Sequence, residues 1–266
     1  MGYKDVKRNN PDKKTNIIAI INQKGGVGKS TTAVNLSAAL GEKKRKVLVI
    51  DFDPQGNTTS GYGIEKDELE NDIYNALSGN AKMSEIIEDT MIKHVFVVPS
   101  TIQLAGAEIE LVSAIARESV LKNLIEEVAD DFDYVFIDCP PSLGLLTVNA
   151  LVAADSLLIP IQCEYYALEG LTKLIESMRM VQGRLNPSLE IFGVLMTMYD
   201  GRTTLSKQVV EEVKQHFGKL VFKNEIPRNV KLSEAPSHGE PVTIYAPDSK
   251  GAKAYAKVAK EVIKRG

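Results

Sequence analysis

A chain of 266 residues with 44% hydrophobic and 25% charged residues has the composition of a globular protein able to bury a sizeable core. A net charge of −3 excludes an overall basic nucleic-acid binder, no apolar run is long enough to cross a bilayer, and no secretory pattern opens the chain. Two cysteines, Cys139 and Cys163, with no Cys-x-x-Cys spacing, exclude a disulfide scaffold or a zinc knuckle and suit a reducing cytoplasm.

Residues 1–15 (MGYKDVKRNNPDKKT) are polar, charged and broken by Pro11, and read as a flexible extension. Residues 16–266 follow as a single domain. NIIAIIN, from Asn16 to Asn22, is an isoleucine-rich run ending in glycines, the pattern of a strand buried on both faces. Ser30 to Lys43 is helical in pattern, and KVLVID (Lys46 to Asp51) is a second buried strand. HVFVVPS, YVFIDCPP, SLLIPIQ and IFGVLMTMY continue the strands. The longest helical stretches between them run from Leu104 to Asp130 and from Tyr165 to Leu185. This alternation predicts an α/β fold, a mostly parallel twisted sheet with right-handed crossovers and helices on both faces. IPRNVKLSEAPSHGEPVTIYAPDS, rich in Pro and Gly, reads as an extended surface segment, and Lys250 to Lys264 as a closing amphipathic helix. From Asp200 to Gly266 there are 13 Lys/Arg against 8 Asp/Glu, so the end of the chain can carry a basic face.

The chemistry concentrates in NQKGGVGKST, Asn22 to Thr31. A strand, a glycine-rich turn and a helix opening with Ser-Thr bind polyphosphate, because glycines let backbone N–H groups converge on oxygens at a helix N-terminus. Lys29 is placed for the β- and γ-phosphates, the Ser30 hydroxyl for Mg²⁺, and Thr31 for the α-phosphate. Yet Gln23 stands where the ordinary pattern G-x-x-x-x-G-K-[ST] asks for glycine, and Lys24 adds a second lysine.

With both lysines, KGGVGKST resembles the deviant Walker A motif of the ParA/MinD superfamily of P-loop ATPases. The resemblance implies ATP and Mg²⁺ as cofactors, with Lys24, Gly25, Gly26, Val27, Gly28, Lys29, Ser30 and Thr31 around the phosphates. It implies that Lys24 reaches the nucleotide of a second subunit across an ATP-dependent homodimer, and desolvated charge there favours phosphoryl transfer. By the same resemblance, Asp53 in VLVIDFDPQGN positions the attacking water and Asp51 lies toward the metal. Asp138 in YVFIDCPPS holds Mg²⁺ through water. DPQGNTTSGYG, MYDGRTTLSKQVVEEV and IPRNVKLSEAPSHGEPV bring the likeness closest to the ParA/Soj type, and it spans nearly everything from Asn16 onwards.

That type implies partitioning of chromosomes or plasmids, double-stranded DNA bound without sequence preference, hydrolysis stimulated by a ParB/Spo0J-type partner, and a nucleoid-associated place in the cytoplasm. Pro227 and Asn229 are then expected at the adenine, and Arg202 and Lys231 at DNA, with Arg228, Lys207 and Lys214 in support. Lys231 stands where arginine is common in such proteins, and it lacks arginine's bidentate fork. A second reading is a MinD-like membrane-cycling ATPase, which needs a C-terminal amphipathic anchor. The stripe of Tyr255, Val258, Val262 and Ile263 has no Phe, Leu or Trp to insert and is expected to pack on the sheet. A third is a metabolic ligase of the dethiobiotin-synthetase kind. His94, His216 and His238 form no metal set, and Cys139 with Cys163 forms no iron–sulfur motif.

Overall fold

The chain is described by a computed structural model covering residues 2–9, 11–164 and 169–266. Its first half contains β1 (Asn16–Ile20), α1 (Lys29–Gly41), β2 (Val47–Asp51), α2 (Asn57–Gly61), α3 (Ile73–Leu77), β3 (Glu88–Asp89), β4 (Val95–Val98), α4 (Leu104–Glu110) and α5 (Val120–Glu126). The second half continues with β5 (Tyr134–Asp138), α6 (Leu145–Ala153), β6 (Ser156–Gln162), α7 (Glu169–Arg184), β7 (Glu190–Thr197), α8 (Thr204–Phe217), α9 (Val230–Glu234), α10 (Val242–Tyr245) and α11 (Lys250–Arg265). The helix start expected at Tyr165 lies outside the described residues.

The strands form one sheet in the order β3-β4-β2-β5-β1-β6-β7. Every pairing is parallel except that of β3 with β4. The apolar runs of β2, β4 and β5 are buried throughout, as central strands covered by helices on both faces must be. β3 carries only Glu88 and Asp89, and its acidic side chains blunt the sheet edge. One hydrophobic cluster fills each face: Phe52, Phe96, Phe132 and Leu146 belong to one, Phe136, Leu36, Tyr255 and Val258 to the other. The parallel register sets Asp51 opposite Asp138, and Asp138 opposite Ile20, so three strand ends converge at the mouth of the glycine-rich turn. Open α/β sheets bind ligands at such carboxyl ends.

On α11, Tyr255, Val258 and Val262 are buried and Ile263 is partly buried against the same cluster; the Tyr255 hydroxyl lies 3.1 Å from Thr32 Oγ1 on α1. Burying Val258 and Val262 contributes about 3–6 kcal/mol of transfer free energy. The stripe is therefore committed to the core, as its composition suggested. No helix among the described residues is long and apolar enough to cross a membrane.

Three local expectations are corrected. Residues 2–9 do not form a solvated lead-in: Tyr3 and Val6 are buried in the core. Tyr3 stacks on Phe132 with ring centroids 5.7 Å apart and meets Phe96 edge-on. A single tyrosine and a valine outweigh the polar composition around them. The helix expected from Leu104 to Asp130 is broken between α4 and α5, where Ala116 adopts a left-handed φ of 53°. Asn149 of α6 explains the break, because its Nδ2 donates to Arg117 O (2.8 Å) and its Oδ1 accepts from Leu121 N (3.2 Å). A tertiary side chain thus replaces the helix's own ladder. Finally, the supposed extended segment after Ile226 is folded into α9, a 3-10 turn (Ala235–His238) and α10. Asn229 caps α9 through its Oδ1, and Leu232, Ala235 and Val242 are buried beneath.

Candidate functional site

β1 ends in the glycine-rich turn and α1 begins at Lys29, so the turn's backbone is aimed along the helix axis. Gly28, the residue before α1, has a φ of 90° that only glycine adopts without strain. Thr197 at the end of β7 donates its hydroxyl to Val27 O (2.8 Å), tying the turn to a neighbouring strand; the Val27 side chain is itself buried, leaving only its backbone for a ligand. A cleft of about 620 Å³ opens above the turn, bordered by Gly25, Gly26, Gly28, Lys29, Ser30 and Thr31. Asp53 and Gln55 from the loop after β2 form its opposite wall.

The two strand-end aspartates differ sharply. Asp138 is fully buried, and its Oδ2 accepts from the Thr58 hydroxyl (2.8 Å). Its Oδ1 is buried with no partner at hydrogen-bond geometry and the Ser30 hydroxyl beside it, an acceptor open to a water or a bound ion. Burial raises its pKa, while the Ser30 hydroxyl, the Thr58 hydroxyl and the Lys29 ammonium favour its charge. An orphaned carboxylate oxygen beside a serine hydroxyl and a lysine suits a hydrated divalent cation on a polyphosphate. Asp51, by contrast, is saturated. Its Oδ2 accepts from Thr59 N and from Thr59 Oγ1 (both 2.7 Å), and its Oδ1 accepts from Asp53 N (3.3 Å). Burial and then the neighbouring Asp138 charge push its pKa up. Asp51 is not on the cleft wall; it holds α2 and the Asp53 loop in place.

Asp53 is buried to 7% exposure yet borders the cleft, with Oδ1 accepting from Gln55 N (3.0 Å). Lys24 stands apart from the other turn residues. Its backbone N–H donates to Asn22 Oδ1 (3.0 Å), and its Nζ lies 2.9 Å from Glu164 Oε2, beyond β6. It does not border the cleft over its own turn.

A family model described as an AAA domain matches residues 15–191. The sporulation initiation inhibitor protein Soj of Bacillus subtilis is 58% identical over 250 residues, covering 94% of this chain and 99% of that protein. The chromosome partitioning protein ParA of Myxococcus xanthus is 51% identical, covering 94% of this chain and 88% of the other. The chain belongs to the Soj/ParA family. Among solved structures, cobyrinic acid a,c-diamide synthase from Mycobacterium smegmatis, with bound ATP analogue and magnesium, superposes with a TM-score of 0.82 at 38% identity, covering 94% of this chain and 95% of that one.

In this Soj/ParA chain the remaining expected residues fall into one neighbourhood outside the cleft. Tyr199 N donates to Ile226 O (3.0 Å) and Arg228 N to Tyr199 O (3.0 Å), so the turn carrying Arg202 abuts the Pro227–Lys231 segment. Arg202 is 90% exposed but grips Asp200 with both arms, Nε to Oδ1 (2.9 Å) and an Nη to Oδ2 (2.7 Å). That contact holds the Asp200 carboxyl down to about 2. Lys231 Nζ meets Glu234 Oε2 at 2.8 Å, and Lys214 Nζ meets Glu225 at 3.7 Å. Pro227 and Asn229 do not border the cleft, and the Asn229 carbonyl is occupied as a helix cap. Met198, Pro236, Ser237 and Glu240 complete the lining in their place. Met198, the first residue of MYDGRTTLSKQVVEEV, adopts a φ of 52°, a strained choice for a residue with a side chain.

Proposed function

We propose that this chain is a Mg²⁺-dependent ATPase of DNA partitioning, cytoplasmic and nucleoid-associated, with residues 16–266 acting as one ATPase domain. ATP makes it homodimerise, the dimer binds double-stranded DNA without sequence preference, and a ParB/Spo0J-type partner stimulates hydrolysis and release. Lys29 and the Gly25–Thr31 backbone hold the phosphates, Ser30 and, through water, Asp138 hold the metal, and Asp53 orients the attacking water. Lys24 serves the nucleotide of the second subunit. Pro227 and Asn229 are assigned to the adenine by the family likeness of IPRN alone, since neither borders the cleft.

One observation carries the reading. Lys29, Ser30 and Asp53 face one cleft with an orphaned Asp138 oxygen beside them, while Lys24 of the same turn is held outside it. A lysine outside its own cleft and open to solvent is free to meet a nucleotide on a second copy. The Arg202, Arg228 and Lys231 neighbourhood supports salt-sensitive phosphate binding, doubled when two copies combine. The membrane-cycling alternative lacks support from α11, whose apolar stripe is covered by α1 and the sheet. Gel filtration of the purified chain with ADP or ATP, followed by retention on a DNA filter, tests the reading. A dimer that forms and binds DNA only with ATP is expected; a monomer in both nucleotides contradicts it, and so does ATP-dependent pelleting with liposomes in the absence of DNA.

A further inference from the structure

We propose that Lys66 and Ser100 are positioning residues that fix Asp53 from the side of its loop away from the nucleotide cleft. The inference rests on the reading that Asp53 orients the attacking water. The loop between β2 and α2 runs Asp53-Pro54-Gln55-Gly56, and both backbone carbonyls flanking Pro54 are pinned. Ser100, fully buried just after β4, donates its hydroxyl to Asp53 O (3.0 Å). Lys66, half-buried and coming from the 3-10 turn Lys66–Glu68, donates its ammonium to Gln55 O (2.7 Å). A bond from a cation to a carbonyl is stronger than a neutral one. Proline between the two anchors fixes a backbone dihedral as well.

Gly56 shows how closely the clamp is built. With a φ of 60°, it has no space for a side chain: a Cβ there would stand 2.6 Å from Lys66 Cε and 2.6 Å from Ser100 O. Lys66 and the backbone of Ser100 therefore both pack directly against the loop at this glycine. The clamp also reaches Asp51. Ser100 N donates to Thr59 Oγ1 (2.9 Å), which donates onward to Asp51 Oδ2 (2.7 Å), whose other oxygen takes Asp53 N. Asp53 is thus held at its N–H, at its carbonyl and, through Gln55 N, at its carboxylate. Lys66 borders a separate cavity of about 520 Å³ with Pro54, Gln55 and Asn71, and it is not among the residues of the phosphate cleft. Its influence on the reaction passes through the loop.

Steady-state ATP hydrolysis with Mg²⁺ and DNA, paired with titration of a fluorescent ADP analogue and thermal melting, tests this. For Lys66→Met the expectation is a fall in kcat of about 10-fold, since sub-ångström misplacement of a catalytic group is costly, with KM and ADP affinity within about twofold of wild type. Lys66→Arg restores most of the rate, and Ser100→Ala repeats the kcat loss at an unchanged melting midpoint. An unchanged kcat in Lys66→Met, or a loss of kcat matched by a loss of ADP affinity, overturns the proposal. Asp53→Ala, measured alongside, separates the two claims. If it hydrolyses ATP at the wild-type rate, the reading of Asp53 fails; if it is inactive while Lys66→Met is not slowed, the positioning claim fails alone.

Discussion

Lys24 Nζ lies 2.9 Å from Glu164 Oε2 across the end of β6, with both side chains about two-fifths exposed. The second lysine of the turn is therefore tethered to a carboxylate of its own chain, within reach of solvent. An ion pair this exposed is worth no more than about 1 kcal/mol, so it holds the side chain in place without locking it.

If the proposed cross-subunit role of Lys24 is right, Lys24→Ala keeps nucleotide affinity within about threefold while abolishing the ATP-dependent dimer. Equilibrium dialysis and light scattering on one preparation check both halves. Glu164→Gln should shift the ATP concentration for half-maximal dimerisation by less than about fivefold, the limit set by a pair of that strength.

Asp51→Asn should destabilise the fold by about 1–3 kcal/mol in urea denaturation, since an amide nitrogen would face the Thr59 or Asp53 donors that the carboxylate now satisfies. Asp138→Asn is expected to act differently, weakening the magnesium dependence of nucleotide binding because its orphaned oxygen loses its charge. Titrating Mg²⁺ against nucleotide affinity in the two variants tests the proposed division between Asp51 as a support and Asp138 as a metal residue.

Asp200 occupies the Arg202 fork, so a DNA phosphate must displace a carboxylate to use it. Asp200→Asn should raise DNA retention at fixed salt and steepen its salt dependence toward one further phosphate contact, a slope change of about 0.9. Arg202→Glu should weaken retention and leave nucleotide binding intact. Filter binding across a salt series reads both effects.

Tyr3→Ala should cost about 1.5–3 kcal/mol in urea denaturation, the value of burying a large apolar side chain. A solvated tail would show no change.

The positions of β1, β2 and β5 could be read directly from the chain, because strands buried on both faces leave continuous apolar runs that little else produces. The turn and Lys29 followed, since phosphate binding constrains consecutive residues. What could not be read depends on partners distant in the chain. Ala116 breaks a good helical pattern because Asn149 captures its neighbours' backbone groups. Asp51 and Asp53 are two residues apart on one strand end, and only the folded position of Thr59 separates a supporting carboxylate from one on the cleft wall. Tyr3 docks because Phe96 and Phe132 leave a place for a third ring, a fact invisible in the polar stretch that carries it. Met198, Pro236 and Glu240 reach the cleft from late segments, MYDGRTT and LSEAPSHGEPV, in which nothing marks these three residues as lining a cleft built around β1 and β2.

The central claim is an ATP-gated dimer in which Lys24 serves the partner's nucleotide and Asp53 ends the state by hydrolysis. Multi-angle light scattering of Asp53→Ala with Mg²⁺ and ATP, with and without Lys24→Ala added, tests it most directly. The account predicts a stable dimer retained on DNA for Asp53→Ala and a monomer for the double variant. A monomer for Asp53→Ala with ATP, or a dimer that survives the loss of Lys24, would contradict it.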